Sequence, residues 1–296
     1  MRRPDFLKAG DHVAVINASK KLQSDIEPGL NLLRSWGLEP VLGAAVHEED
    51  GYFAGNDAER LNDLQWALDH PEIKAIIMAR GGYGATRIVD QASFTRFEQY
   101  PKWLCGFSDV TSLLCQIDNL KVACVHGPMV ASFWRDTESD EHLRKFLFGE
   151  GLDYQVAGHK DNFKGSTEAP VIGGNLTMIT NSIGTASEAN TDGKILLMEE
   201  VGEYIYHLDR MLVHLIRAGK LDKLKGVIVG DFSGMKDHKD SFGLTVNQVL
   251  KMHLSPLDIP IAFGFPAGHE NRNFPVPLGV PMRFEVGEEV KLQLKE

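Results

Sequence analysis

A serine at the end of one apolar run, two adjacent glutamates at the end of another, and a histidine in a glycine- and proline-rich loop are the residues whose chemistry could be joined in this sequence. A serine hydroxyl attacks a carbonyl when a base takes its proton; histidine is the common base, and a carboxylate behind the ring fixes its tautomer. Ser108 lies in WLCGFSDVTSLL (103–114), where an apolar stretch passes through a small turn into a helical pattern. With a strand through Trp103 to Cys105, a turn at Gly106 to Ser108 and a helix from Asp109, the hydroxyl stands at a strand's carboxyl end and a helix N-terminus. The unpaired N–H groups and the dipole there suit an oxyanion. Serine and aspartate are also good caps, so helix capping and nucleophilic attack are both open readings. The stretch is not the G-x-S-x-G elbow, because position 110 is valine.

His269 sits between Gly268 and Glu270 in GFPAGHENRNFPVPLG (264–279) and reads either as a surface residue or as a base held by a stiff loop. Glu199, Glu200 and Glu203 follow a buried strand in KILLMEEVGE (194–203). Side chains alternate along a strand, so Glu199 and Glu200 cannot both face one cleft, and one of them is structural. ARGGYGATR (79–87) is glycine-rich directly after a strand, which lets backbone N–H groups approach a ligand. Neither phosphate-loop pattern is present there, and a nucleotide site is disfavoured. No H-E-x-x-H and no paired-cysteine spacing points to a metal, and no cofactor is expected. Cys105, Cys115 and Cys124 offer an amidotransferase-like thiol alternative, but their apolar neighbours read as core.

The elements that must position these groups alternate in the first half. HVAVINA (12–18), PVLGA, KAIIMAR (74–80) and VACVHGP (122–128) read as strands. Helices lie between them, one carrying Leu30, Leu33 and Trp36, and one capped by Asn56 with Leu61, Leu64 and Leu68 on a face. Apolar strands separated by helices predict a mostly parallel sheet. In the second half KILLMEE, KGVIVGDF (225–232) and PIAFGF read as strands, Leu208, Leu212, Leu215 and Ile216 as a helix face, and RFEVGEEVKLQL (283–294) as a hairpin. The fold class is therefore α/β, with an α/β domain over 1–150, a polar linker at 151–170, and a smaller β-rich domain over 171–296. A cleft between the two is the expected site.

The 296 residues, 43% apolar, suffice for a large core, and the net charge of −10 with no basic cluster disfavours nucleic acid. No apolar run has the length of a secretory signal or a membrane span. Three cysteines make no disulfide framework, so the expected compartment is a reducing cytoplasm.

GFSD (106–109), ARGGYG (79–84), GGNL (173–176), LLMEEVGEYIYHLDRML (196–212) and GFPAGH (264–269), with GDHVAVINAS near the start, together resemble the successive signatures of the LD-carboxypeptidases. That family includes muramoyltetrapeptide carboxypeptidases and the microcin C immunity peptidase. The resemblance implies a Rossmann- or flavodoxin-like N-terminal domain with a small β-rich C-terminal domain, usually dimeric. It implies Ser108 as nucleophile, Glu199 as triad acid ahead of Glu200, and His269 as general base. It also implies an oxyanion hole from the backbone amides of Asp109 and Gly82. Asn175 and Arg210 match family positions and are assigned substrate-side or supporting roles, and Arg80 and Arg272 are candidates for the substrate's free carboxylate. The implied reaction releases a terminal D-alanine from the L-configured centre of a murein tetrapeptide. A peptidyl-nucleotide antibiotic as substrate, and a non-catalytic peptide-binding module, are the alternatives.

Overall fold

In the computed structural model, which describes residues 1–295, the apolar runs become two sheets. The first half supplies five parallel strands, β1 (His12–Ile16), β2 (Glu39–Leu42), β3 (Ile73–Met78), β4 (Trp103–Gly106) and β5 (Cys124–His126). Helices α1 (Glu27–Ser35), α2 (Asp57–Asp69), α3 (Thr95–Gln99) and α4 (Thr111–Asn119) connect them. The capping box expected at Asn56 forms with Glu59 and starts α2. Val13 to Ile16, Ala75 to Met78 and Trp103 to Gly106 are buried, as strands covered on both faces must be.

The rest of the chain forms α5 (Thr137–Leu147), α6 (Leu176–Asn181), α7 (Ile205–Arg217) and α8 (Val246–Leu254) with eight more strands. These are β6 (Asp153–Ala157), β7 (Gly165–Asn175), β8 (Ile195–Val201), β9 (Gly226–Ser233), β10 (Ile261–Phe263), β11 (Val276–Leu278), β12 (Pro281–Val286) and β13 (Glu289–Leu294). The second sheet runs β10-β9-β8-β7-β12-β13-β6. Its first four strands are parallel and its last four antiparallel. The long β7 belongs to both parts: residues 165–170 pair with β12 and 171–175 with β8. Leu208, Leu212 and Leu215 of α7 join Ile172, Leu196 and Val227 in a core under α7 and α8. Among the described residues no helix is long and apolar enough to cross a membrane.

Two features depart from the expectation. Residues 151–170 are not a linker, since they contain β6 and the first half of β7. Their alternation is weak in sequence because β6 is a five-residue sheet-edge strand with only Tyr154 fully buried. The sheets also exchange chain: β11, from the second half, pairs antiparallel with β5 and completes the first sheet in the order β11-β5-β4-β3-β1-β2. The twelve residues between β10 and β11 therefore pass from one sheet to the other, and His269 lies among them.

Candidate active site

Ser108 opens the single 3₁₀ turn Ser108–Val110 that follows β4 and precedes α4. Its φ of 63° is left-handed, a conformation costing a non-glycine residue roughly 1–2 kcal/mol. The capping alternative is not what forms: neither the 3₁₀ turn nor α4 receives a side-chain cap. Instead the hydroxyl lies 3.0 Å from His269 Nε2. Asp109 holds the turn from beneath. Its carboxylate accepts from the Ser19 hydroxyl at 2.5 Å and from the Ala85 N–H at 2.8 Å, tying the glycine loop to the serine turn. Burial pushes the Asp109 carboxyl up, and these hydrogen bonds oppose the shift.

The glycine loop follows from close approach. A Cβ on Gly81 would stand 3.1 Å from Ser108 Cβ, and one on Gly82, whose φ is 130°, would meet Lys20 Cβ at 2.5 Å. Among the described residues neither the Gly82 nor the Asp109 N–H has an intramolecular acceptor.

Glu199 and Glu200 divide as alternation requires. Glu199, fully buried, accepts from His269 Nδ1 at 2.7 Å. Glu200 points the other way and accepts from Asn175 Nδ2, the Thr177 N–H and hydroxyl, and the Val201 N–H, at 2.8 to 3.1 Å. It fastens the start of α6 to the end of β8. His269 is largely buried, and burial alone disfavours its charged form. The Glu199 hydrogen bond and charge, with Glu200 and Asp231 further off, outweigh this and hold its pKa above the ordinary histidine value. Asp231, close to Glu199 and His269, is pushed up to about 7, chiefly by burial. Phe107 packs edge-on against His269 on one side and the buried His126 on the other. Burial lowers His126 to about 4, so it is neutral and places no second positive charge behind His269.

A cleft of about 430 Å³ opens over Ser108, lined by Leu22, Arg80, Gly82, Met129, Arg135 and His269 among others. Arg80 is thus in the cleft, where its guanidinium donates to the Lys21 and Gly81 carbonyls. Three other candidates lie elsewhere. Asn175 is buried as the N-cap of α6, accepting from Met178 N–H, which fits the supporting rather than the substrate-side role. Arg210, over the Tyr206 ring on α7, lines a separate cleft with His207 and Glu203. Arg272 is exposed and paired with Glu138. Cys105, Cys115 and Cys124 are buried, and desolvation raises all three thiols, Cys115 to about 12, which leaves thiolate chemistry without support. Asp109 as a buttress and Arg135 in the cleft escaped the sequence reading. Arg135 lies in a polar stretch whose spacing carries no signal, and the sequence reads Asp109 only as a cap and an amide donor, because its carboxylate's partners, Ser19 and Ala85, are remote along the chain.

Ser108, His269 and Glu199 lie in line, on an α/β frame with the serine at a strand end, with the spacing that serine hydrolases use. The chain belongs to the LD-carboxypeptidase family, a family of serine peptidases: residues 13–127 match the LD-carboxypeptidase N-terminal domain and residues 168–284 the C-terminal domain. A probable murein peptide carboxypeptidase of Bacillus subtilis is 33% identical over 97% of this chain and 92% of its own. The murein tetrapeptide carboxypeptidase of Pseudomonas aeruginosa is 28% identical over 90% and 91%. Among solved structures, the muramoyltetrapeptide carboxypeptidase from Oxalobacter formigenes superposes with a TM-score of 0.87 at 27% identity, covering 96% of this chain and 99% of that one. The protein MccF in complex with glutamyl sulfamoyl guanosine reaches 0.88 at 20% identity over 99% and 98%, a likeness of fold alone.

Proposed function

We propose that this protein is a serine-type LD-carboxypeptidase that removes the terminal D-alanine of murein tetrapeptides. The observation that carries the reading is the His269 ring, with Nε2 3.0 Å from the Ser108 hydroxyl and Nδ1 2.7 Å from Glu199. Glu199 accepts a hydrogen bond from Nδ1–H and so keeps the ring's proton on that nitrogen, leaving Nε2 free to take the Ser108 proton as Oγ attacks the last peptide carbonyl. The Gly82 and Asp109 N–H groups receive the oxyanion, a contribution of about 3 kcal/mol for each such donor. His269 then gives its proton to the departing amino nitrogen as the C–N bond breaks. Water, activated by the same imidazole, hydrolyses the acyl-enzyme and restores Ser108. Arg80 borders the cleft, with one guanidinium nitrogen left for the substrate.

The murein substrate is supported by the printed names of the relatives in Bacillus and Pseudomonas. In the same reading the enzyme works as a cytoplasmic homodimer on recovered wall peptides. The deciding experiment is mass spectrometry of L-Ala-D-Glu-meso-diaminopimelate-D-Ala incubated with wild type and with Ser108→Ala. Loss of one D-alanine with the wild type alone is expected. An intact tetrapeptide, with cleavage of an aminoacyl sulfamoyl nucleoside instead, would replace the murein reading by the peptidyl-nucleotide one. Binding without cleavage of either would return the protein to the non-catalytic class.

A further inference from the structure

Phe107, Ser132, Arg135 and His269 line both the cleft over Ser108 and a second recess of about 60 Å³, which is closed by the start of α5 and by Asn271 and Asn273. Arg135 is presented to both by a fixed turn. Trp134 is held left-handed at φ 68°, its N–H donates to Asp140 Oδ2 at 2.7 Å, and Asp136 caps α5 immediately afterwards. Arg135 is bonded through its backbone N–H, to the Ser132 carbonyl, and among the described residues its guanidinium makes no hydrogen bond and no ion pair, although the chain carries a net charge of −10.

The carboxylates around the recess are already engaged. Asp136 accepts from the Ser139 N–H and hydroxyl, Asp140 from Trp134, and Glu270 from the Ser233 hydroxyl. Burial pushes Asp140 up to about 6, which further weakens its hold on a nearby cation. Asn273 is 5% exposed; its Oδ1 accepts from the Gly268 N–H at 3.0 Å, and its Nδ2 is buried without a partner. An unpaired guanidinium and an orphan amide donor in a small recess beside a histidine are complementary to a carboxylate.

We propose that this recess is the subsite for the leaving residue, with Arg135 and Asn273 Nδ2 reading its terminal carboxylate and the small volume limiting its side chain to methyl size. The inference rests on the peptidase reading above. His269 must hand its proton to the departing nitrogen, which puts that residue on the histidine's side, while the larger cleft takes the acyl part. Arg135 and Asn273 thereby set specificity, and the triad performs the bond cleavage.

The test is steady-state kinetics on a murein tetrapeptide ending in D-alanine, in D-alanine amide or in D-phenylalanine. Wild type, Arg135→Gln, Arg135→Lys and Asn273→Asp are compared. Asn273→Asp keeps the acceptor for Gly268 and replaces the donor by a negative charge. Wild type is expected to prefer the free acid over the amide by about 100-fold in kcat/KM, the scale of an unmatched buried charge contact. In Arg135→Gln and Asn273→Asp that preference falls below about fivefold through KM, and Arg135→Lys restores part of it. The D-phenylalanine peptide is expected to be refused by the wild type. A wild type that cleaves the tetrapeptide while Arg135→Gln keeps the full acid-over-amide preference overturns the subsite and leaves the peptidase reading standing. A wild type that cleaves none of the three peptides overturns the murein reading and the subsite together.

Discussion

The turn of Ser108 and the loop of His269 meet at a 3.0 Å contact, yet they are held in different ways. The turn is a strand end running into a helix, locked in a left-handed residue by one buried carboxylate beneath it. The loop has no regular structure and depends on a bond within itself and on partners distant in sequence. Glu199 holds the ring, Asn273 holds the Gly268 N–H, Ser139 holds the Asn273 N–H, and Asp231 N–H donates to Ala267. Ser108 is thus placed by a motif and His269 by tertiary structure. Substitutions around the serine should act on chemistry, and those around the histidine on geometry as well.

The largest expected effect is the simplest. Ser108→Ala should lower kcat on the tetrapeptide by at least about 10⁴-fold with the fold intact, read by kinetics beside circular dichroism. Glu199→Gln should follow, with a fall of about 10³- to 10⁴-fold, because the amide no longer fixes the reactive tautomer. Its pH profile adds a sign. Only neutral His269 accepts the serine proton, so wild-type kcat/KM should be lost as pH falls through a pKa above 6.5. Without the Glu199 charge, burial dominates and the acid limb should move to lower pH. An unmoved limb would deny that Glu199 sets the histidine's affinity for protons.

Glu200→Gln separates the neighbours. It should cost about 1–3 kcal/mol of stability, seen in urea unfolding, because an amide nitrogen meets donors at the start of α6. Its loss of turnover should be far smaller than that of Glu199→Gln. Equal losses in the two variants would erase the distinction between a catalytic and a structural carboxylate. The smallest effect on stability is that of Ser108→Gly, which removes left-handed strain and should raise stability by about 1 kcal/mol, its activity being lost as in Ser108→Ala. No stabilisation would mean that the turn is unstrained.

The same contrast explains what could be read in advance. The strands β1, β3, β8 and β9 are continuous apolar runs and α2 carries its own cap, so local pattern reveals them. Alternation along β8 predicts that Glu199 and Glu200 face opposite ways, and they do: one meets His269 and the other the start of α6. The edge strand β6, the double membership of β7 and the crossing of β11 depend on partners far away in sequence, which no window along the chain contains. Arg135 was invisible for the same reason. Its meaning lies in the missing counter-charge around it, and that is a property of the assembled surface.

The crossing from β10 to β11 has one more effect. His269 is strung between two sheets, anchored on one side by the last parallel strand of the second and on the other by the outermost strand of the first. A chain interrupted before Val276 keeps its serine turn, its glycine loop and Glu199, but loses the pairing of β11 with β5 that fixes the far end of the histidine loop. In the proposed reading, bond-cutting capacity is complete once the final stretch of polypeptide has paired onto the first sheet, and a half-assembled molecule should be a poor enzyme.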